Sequence, residues 1–515
     1  MCQGGTPNMS EEPHREKVFD PPWINPSYYC HALPTQPNAD IGTVLVTGAS
    51  GYIGRRLVPE LLVRGYKVRI MLRADSPEFQ ELWPNVEVVV ADALDKKSLN
   101  KAMIGVDTAY YLMHSVLLGL GNFEESEKQA PINFREAAEE NAVKRIIYLG
   151  GKRDDNGTSS RFKQRMKVVK EIQSGSVPAT ILKSSMIIGP GSASYEILKN
   201  LVSVLPVILA PKWAKNKFQP ISVSDVVRYL VGTLETPEMS GQTFDICGGR
   251  VLTYIEMMRI LAKLHNLKRI FIHTPFSNTG IYSYIAGLLT PVPTPITRFM
   301  IENMRNNSVC TDNKISKYIN IKLMTFQAAV LKAMSRAEQD RIYSRWTDAY
   351  PPAHELAIKL HEINNCPFYT AKYSIETTKS AKELFTSVCK IGGKDGWFAN
   401  NWMWSMRGFL DRVVFGVGTT RGRKSQNSLR INSVIGFWRV EDYQPGKRLL
   451  LRAEMKLPGK AWLEFSIEDK NNVRTVTAIP YFCTQTFWGR AYWYVFVPFH
   501  EILFNDLIKQ IEKRS

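Results

Sequence analysis

From Ile41 onward, short apolar runs rich in β-branched residues alternate with segments whose apolar positions recur at helical spacing. Thr43-Val-Leu-Val-Thr47 is the first such run. Arg55 to Arg64 then carries Leu57, Leu61 and Leu62 on one helix face, and Gly65 ends that helix as a C-cap. Further strands are read at Lys67 to Leu72, Val86 to Val90, Thr108 to Leu112, Arg145 to Leu149 and Ala179 to Lys183, with mostly helix-length segments between them. Strands alternating with helices predict an α/β fold with a doubly wound parallel sheet. From about residue 240 the alternation loses its regularity, and a polar helical segment is read from about 325 to 345, before Tyr350-Pro-Pro352 and Cys366-Pro367. Beyond Pro367 the texture changes. Strand-like alternation runs through Tyr369 to Glu376, Val434 to Val440, Leu449 to Met455, Trp462 to Ile467 and Val473 to Tyr481. A helix fits Lys379 to Val388 and a long one fits Tyr492 to Lys513, so this part reads as α+β.

Between the first strand and the first helix stands Gly48-Ala-Ser50-Gly51-Tyr52-Ile53-Gly54. The chain must turn sharply there, and bare backbone can approach a pyrophosphate. The helix N-terminus then offers unpaired N–H groups and positive dipole charge. In this strand–loop–helix setting the pattern predicts a dinucleotide-binding Rossmann domain. Arg73, at the tip of the second strand, suits a 2′-phosphate and so favours NADP(H). NAD(H) stays open, with Asp75 holding the ribose instead. Asp92 and Ala93 follow the third strand, where the adenine is expected.

Those residues carry a family resemblance. The stretch from about 41 to 310 resembles the atypical extended short-chain dehydrogenases/reductases, among them NmrA-like proteins and relatives of the 39-kDa subunit of respiratory complex I. Thr47–Gly54, Ala91-Asp92, Tyr110–Ser115, Arg145–Gly151, Ile187–Gly191 and Gln219–Asp225 carry it. The whole chain is similar to bacterial proteins that join such a domain to a C-terminal DUF2867-type domain. With residues 1–40, rich in Pro and polar groups, read as a flexible N-terminal extension, the chain divides into that extension (1–40), an NAD(P)-binding domain with a small substrate subdomain (41–310), a helical linker (311–367) and the C-terminal domain (368–515).

Active members of the superfamily use a Tyr, a Lys four residues later and a Ser after the fifth strand. Here Gly150 and Gly151 stand at the Ser position, and Arg161 and Arg165 fall near the Tyr and Lys positions. Neither arginine can transfer the proton. Tyr148/Lys152, Tyr195/Lys199, Tyr318/Lys322 and Tyr443/Lys447 also match the spacing, and read as chance matches. Lys163 and Lys167 are candidates for phosphate or ribose contact. His114, after the fourth strand, is the remaining candidate proton donor, against the plainer reading of a packing or hydrogen-bonding histidine. The resemblance therefore implies an oxidoreductase-like protein acting on a carbonyl or quinone-type ligand. A non-catalytic NADP sensor or assembly factor is the first alternative, and a lipid-binding or transfer module the second.

Seven of the eleven tryptophans lie beyond residue 395, most densely in Trp397–Trp404 and Phe487–Tyr494. The order of elements there resembles the helix-grip fold of the START/polyketide-cyclase group. Such aromatics either line a cavity for a lipid or quinone or fill a small core. Arg407, Asp411 and Arg412 could sit on a helix at a cavity rim. Arg421, Arg423 and Lys424 read as a basic loop, and Glu464 is too isolated to be called catalytic.

Of 515 residues, 44% are hydrophobic and 22% charged, which excludes a disordered or collagen-like chain. The net charge is +18, and residues 361–515 hold 23 Lys and Arg against 14 Asp and Glu. No zinc-finger, helix-turn-helix or RNA-binding signature accompanies this charge, so nucleic acid is not expected as a partner. Cofactor phosphates and peripheral contact with an anionic membrane are the expected destinations. The seven scattered cysteines include no Cys-x-x-Cys pair, so neither a zinc site nor a disulfide framework is expected. A reducing compartment, cytoplasm or mitochondrion, fits. Residues 270–297 lack Asp, Glu, Lys and Arg, yet prolines interrupt them, and no run is long enough to span a bilayer. That segment reads as a buried or dimer-contact helix, or as one that docks on a membrane surface.

Overall fold

A computed structural model gives the fold. It describes residues 25–73, 77–113, 123–152, 160–275, 277–290, 294–335, 360, 368–392, 396–413, 418, 429, 433–470 and 473–515. The first half is a three-layer α/β domain. Its strands β1 (Thr43–Thr47), β2 (Val68–Leu72), β3 (Glu87–Val90), β4 (Val106–Tyr111), β5 (Arg145–Gly151) and β6 (Ala179–Ser184) alternate with helices α1 (Gly54–Val63), α2 (Pro77–Leu82), α3 (Lys96–Met103), α4 (Phe123–Glu140) and α5 (Ser160–Gln173). Next come β7 (Ile187–Ile188), α6 (Ala193–Val204), β8 (Val207–Ala210), β9 (Lys217–Phe218), β10 (Ile221–Ser222), α7 (Val223–Leu234) and β11 (Thr243–Ile246). The main sheet has the order β3-β2-β1-β4-β5-β6-β11, and every pairing in it is parallel. The order reverses between β1 and β4. In such sheets the crevice at that switch point, beyond the strand C-termini, receives ligands. Val44, Val46, Ile70, Tyr110 and Ile147 are buried in one layer, and Leu45, Ala109, Ile146 and Ile181 in the other. Both faces being covered explains why these strands read as continuous apolar runs.

A second core sits on this domain. Around it lie α6, α8 (Tyr254–Leu264), α9 (Thr279–Leu289), α10 (Thr294–Asn303) and α11 (Phe326–Met334). Short ladders join β7 to β10, β9 to β12 (Leu252–Thr253) and β8 to β13 (Ile270–His273). Helix starts are set by side chains. Thr253 and Glu256 form a capping box on α8, and Asn278 caps α9 through the N–H groups of Gly280 and Ile281. Of the expected 325–345 helix, 326–334 form α11, which ends at the extended Ser335; residues 336–345 lie outside the described residues.

Within the expected N-terminal extension, residues 25–40 drape over the first domain without regular structure. Glu60 accepts from the Tyr29 and Cys30 N–H groups at 2.8 and 3.1 Å. Arg64 pairs with Glu235 at 2.6 Å and donates to the Thr35 carbonyl at 2.7 Å.

The C-terminal domain is an antiparallel sheet with a long helix against it. Its strands are β14 (Phe368–Thr370), β15 (Tyr373–Thr377), β16 (Val434–Ile435), β17 (Trp438–Gln444), β18 (Arg448–Ala453), β19 (Lys460–Lys470) and β20 (Val473–Cys483). They pair in the order β14-β20-β19-β18-β17-β16, with β15 also on β20. The single strand expected at 369–376 is broken at Ala371-Lys372. Its helices are α12 (Ala381–Val388), α13 (Asn401–Val413) and α14 (Phe487–Arg514). The terminal helix thus starts before Tyr492, because Thr486 caps it through the Gly489 N–H. The alternating apolar positions of β17 to β20 face Leu503, Phe504, Leu507, Ile508 and Ile511 of α14 in one core.

One cysteine reading is corrected. Cys247 and Cys310, 63 residues apart, form a disulfide, and Cys483 is disulfide-bonded as well. Spacing carried no hint of the first pair. The fold creates it by laying the chain at Cys310 beside the end of β11.

Candidate functional site

The glycine loop lies at the switch point. Gly48 has a φ of 67°, and a Cβ there would stand 2.8 Å from the Leu112 carbonyl oxygen at the end of β4. A Cβ on Gly54 would lie 2.3 Å from the Gly48 carbonyl oxygen, so the third glycine lets α1 press against the loop. Ile53 and Gly54 are buried, whereas Gly48, Ser50, Gly51 and Tyr52 keep partial exposure. No side chain caps the start of α1 and no acid occupies its first turn. Its N-terminal dipole is therefore left to an outside anion. Thr47 ties the two strands at the crevice: its hydroxyl donates to the Tyr110 carbonyl at 2.7 Å and accepts from the Leu112 N–H at 3.3 Å.

Arg73 follows β2 and is exposed. Partial desolvation draws its pKa down and the charge of Asp92 draws it up, which puts the two in one electrostatic neighbourhood. The Asp92 loop is held by hydrogen bonds. Ala91 N–H donates to the Leu72 carbonyl at 2.9 Å, Leu94 N–H to the Asp92 carboxylate at 2.9 Å, and Asn133 to the Ala93 carbonyl at 3.0 Å. Gly48, Ser50, Gly51, Tyr52, Ile53, Gly54, Arg73, Asp92 and Ala93 thus stand at the β1, β2 and β3 ends of one sheet edge. A dinucleotide fits these residues: bare loop backbone and an open helix end for the pyrophosphate, and an arginine near the ribose. Among the described residues no cluster of His, Cys, Asp and Glu could hold a metal ion. His114, Asp75 and the basic loop at 421–424 lie outside the described residues, as do the side chains of Arg161, Lys163 and Arg165. Lys167 is exposed on α5.

The Tyr-x-x-x-Lys matches are accounted for individually. Tyr148 is buried against Tyr111, while Lys152 forms a 2.9 Å ion pair with Asp245. Tyr195 is buried in α6, and burial raises its pKa, so it stays a neutral phenol. Tyr318 stacks edge-on to Phe244, and Tyr443 lies in the C-terminal domain, packed on Phe385.

Sequence reading passed over a group of donors in the second core. The Tyr195 hydroxyl, the Trp213 indole N–H and the Tyr254 hydroxyl are buried without a hydrogen-bond partner among the described residues. Burial likewise raises the Tyr254 pKa. Buried donors of this kind cost about 1–3 kcal/mol each when unmatched. Their signal in sequence was only aromatic content, which cannot be told from core.

In the C-terminal domain Trp397 stacks on Trp404 at 4.0 Å, and Trp404, Tyr373 and His500 surround Phe504. Asp411 does not sit on a cavity rim. It is buried, accepting from the Gly418 and Lys456 N–H groups at 2.8 and 2.7 Å. Arg412 donates to the Thr290 carbonyl at the end of α9, and burial pulls its pKa down to about 10. Glu464 accepts from Arg448 at 3.0 Å and from the Tyr481 hydroxyl at 3.2 Å.

Two family models match the chain. The NmrA-like family covers residues 40–323, and a protein family of unknown function, DUF2867, covers residues 367–507. A 3-beta-hydroxysteroid dehydrogenase of Mycolicibacterium neoaurum is 32% identical over 118 residues, 21% of this chain and 32% of that protein. This chain therefore spans about a third of the dehydrogenase's length. The mitochondrial NADH dehydrogenase (ubiquinone) 1 alpha subcomplex subunit 9 of Mus musculus is 28% identical over 275 residues, 51% of this chain and 72% of that protein. Among solved structures, Citrobacter sp. triphenylmethane reductase complexed with NADP(H) is similar at 19% identity and a TM-score of 0.47, covering 56% of this chain and 100% of that one.

Proposed function

The chain belongs to the NmrA-like family, and on that footing we propose that it is an NADP(H)-binding oxidoreductase that reduces a carbonyl or quinone-type group on an apolar ligand. The observation that carries the reading is the bare Gly48–Gly54 loop leading into an uncapped helix at the sheet's switch point, with Arg73 one strand away. Bound there, the nicotinamide would supply the hydride. The chain's own part is to hold and orient. Loop backbone N–H groups grip the pyrophosphate, and Arg73 answers a 2′-phosphate better than a bare ribose would need. The neutral donors Tyr195, Trp213 and Tyr254 suit a ligand with carbonyl-type acceptors. His114 is the candidate proton donor. The aromatic C-terminal domain would receive or cover a lipid or quinone and bring the molecule to a membrane surface.

A second reading rests on a specific observation. Gly150 and Gly151 end β5 where a substrate-holding Ser is expected, and Lys152 is committed to Asp245. This favours a non-catalytic NADP sensor or assembly factor. The test is transfer of deuterium from C4-labelled NADPH to small molecules retained by the purified full chain, read by mass spectrometry. Label in a retained ligand supports the oxidoreductase. Tight NADPH binding without transfer supports the sensor. Retained lipid without NADPH binding would support a lipid-transfer module.

A further inference from the structure

Three helices linked by hydrogen bonds expose apolar side chains. On α14, Phe487, Trp488, Tyr494, Val495, Phe499 and Ile502 are exposed, Trp488 at 76% and Phe487 at 73%. At about 100° per residue they share one side of the helix. Its buried Gly489, Trp493, Leu503, Phe504, Leu507, Ile508 and Ile511 take the opposite side. The helix thus has two apolar faces, and the domain core covers only one.

On α13 the pattern repeats. Trp402, at 62% exposure, Met406, Phe409, Leu410 and Val413 form one stripe, while Trp404, Gly408, Asp411 and Arg412 face inward. On α9, Ile281 and Ile285 are exposed one turn apart. Scattered exposed apolar residues are ordinary, but contiguous apolar stripes mark a docking surface.

Hydrogen bonds join the three stripes. Asp411 on α13 accepts from the Lys456 N–H at 2.7 Å, and Arg407 donates to the Lys456 carbonyl at 3.3 Å. Two residues on, the Pro458 carbonyl accepts from Thr484 at 2.9 Å and from the cap residue Thr486 at 3.4 Å, which seats the start of α14 on the same turn. At the same, C-terminal end of α13, the Tyr284 hydroxyl of α9 donates to the Val413 carbonyl at 3.4 Å.

The charge beside this surface is mainly basic. Residues 401–413 hold a single acid, the buried Asp411, and the span of the α14 stripe, 487–502, holds one, the exposed Glu501. In the turn, Glu454 is buried on Arg439, whereas Lys456 is exposed and Lys460 partly so. Arg490 is exposed at the flank of the α14 stripe. Aromatic side chains with basic neighbours match the interface of an anionic bilayer, where rings insert at headgroup depth and cations meet lipid phosphates. No described helix is long and apolar enough to cross a membrane.

We propose that the exposed faces of α13 and α14, with Ile281 and Ile285 of α9, dock the protein on an anionic lipid bilayer, and that Arg407, Lys456, Lys460 and Arg490 engage its headgroups. This deepens the membrane contact in the proposed function and is independent of turnover. NADPH binding and vesicle binding are measured separately, so either can fail alone.

The experiment is flotation of the full chain with vesicles of phosphatidylcholine, with and without phosphatidylglycerol. The expected result is flotation that requires phosphatidylglycerol and falls at least about tenfold in W488S/F499S, in W402S/F409S and in R490E/K456E, with NADPH binding retained. The charge reversals leave the buried faces of both helices intact and serve as the second test should an aromatic variant misfold. Flotation that ignores phosphatidylglycerol, or that survives all three variants, overturns the proposal. So does a concentration-dependent dimer that the same variants dissolve, since the stripes would then cover one another.

Discussion

Lys152 and Asp245 form an ion pair at 2.9 Å with both side chains about nine-tenths buried, stitching the end of β5 to the end of β11. Thr311 adds two hydrogen bonds to the same carboxylate, at 3.2 Å from its N–H and 3.0 Å from its hydroxyl. The Cys247–Cys310 disulfide lies next to this contact in the chain. Removing one partner leaves a buried charge unanswered. Lys152→Met is expected to destabilise the fold by about 3–5 kcal/mol, and pairing it with Asp245→Leu should recover part of that loss. Urea unfolding of the single and double variants reads both. A structural lysine also predicts unchanged NADPH affinity in the folded Lys152→Met protein, whereas a cofactor-binding lysine would lower it.

The glycines of the loop should separate into two kinds. A methyl at Gly54 would overlap the Gly48 carbonyl at 2.3 Å, so Gly54→Ala is expected to lower the melting temperature whether or not nucleotide is present. A methyl at Gly51 would meet that same oxygen at 3.1 Å, a contact a small shift relieves. Gly51→Ala should fold nearly normally yet bind NADPH at least about tenfold more weakly, because the loop backbone must approach the pyrophosphate closely. Thermal unfolding with and without nucleotide checks the pair; equal behaviour of the two variants would contradict the assignment.

The first domain was legible because a buried parallel sheet writes itself as apolar runs, and because the backbone leaves no room for a side chain at Gly48 and Gly54. Arg73 and Asp92 were legible through their places at strand ends. What stayed hidden depended on long-range geometry. Nothing local marks Glu235 as the partner of Arg64, or Cys310 as that of Cys247. The exposed stripe on α14 was hidden for a different reason. Both faces of the helix are apolar, so the periodicity that separates core from solvent is lost. Tyr195, Trp213 and Tyr254 read as core because an unpartnered hydroxyl is visible only once its surroundings are known.

Arg73 should set cofactor preference. Its guanidinium is exposed at the end of β2 beside the charge of Asp92. A bare ribose has no use for that cation, whereas a 2′-phosphate would pair with it. Arg73→Ser is expected to weaken NADPH at least about tenfold, in line with a lost charge-assisted hydrogen bond of about 1.5–3 kcal/mol, and to leave NADH nearly unchanged. Fluorescence titration with both nucleotides decides it. An equal loss for the two would assign Arg73 to the fold, not to the phosphate.

His500 should make stability depend on pH in a defined window. Its ring is half-buried beside Trp493 and Phe504, and its Nδ1 is buried with no partner among the described residues. Burial pushes its pKa down from 6.5 to about 4. The folded protein therefore keeps His500 neutral where the unfolded chain would protonate it. The contribution is fully present above the unfolded value of 6.5 and is lost as pH falls through about 4, below which both states are charged. It amounts to at most about 3 kcal/mol. His265 is also lowered, by burial and then by Lys199, and adds in the same direction. His500→Phe keeps the aromatic packing and removes the titration. The difference in unfolding free energy between wild type and His500→Phe should thus be flat above neutral pH and move in favour of the variant as the medium is acidified toward pH 4. Denaturant unfolding across that range measures it, and a difference that does not change with pH would show that His500 does not titrate there.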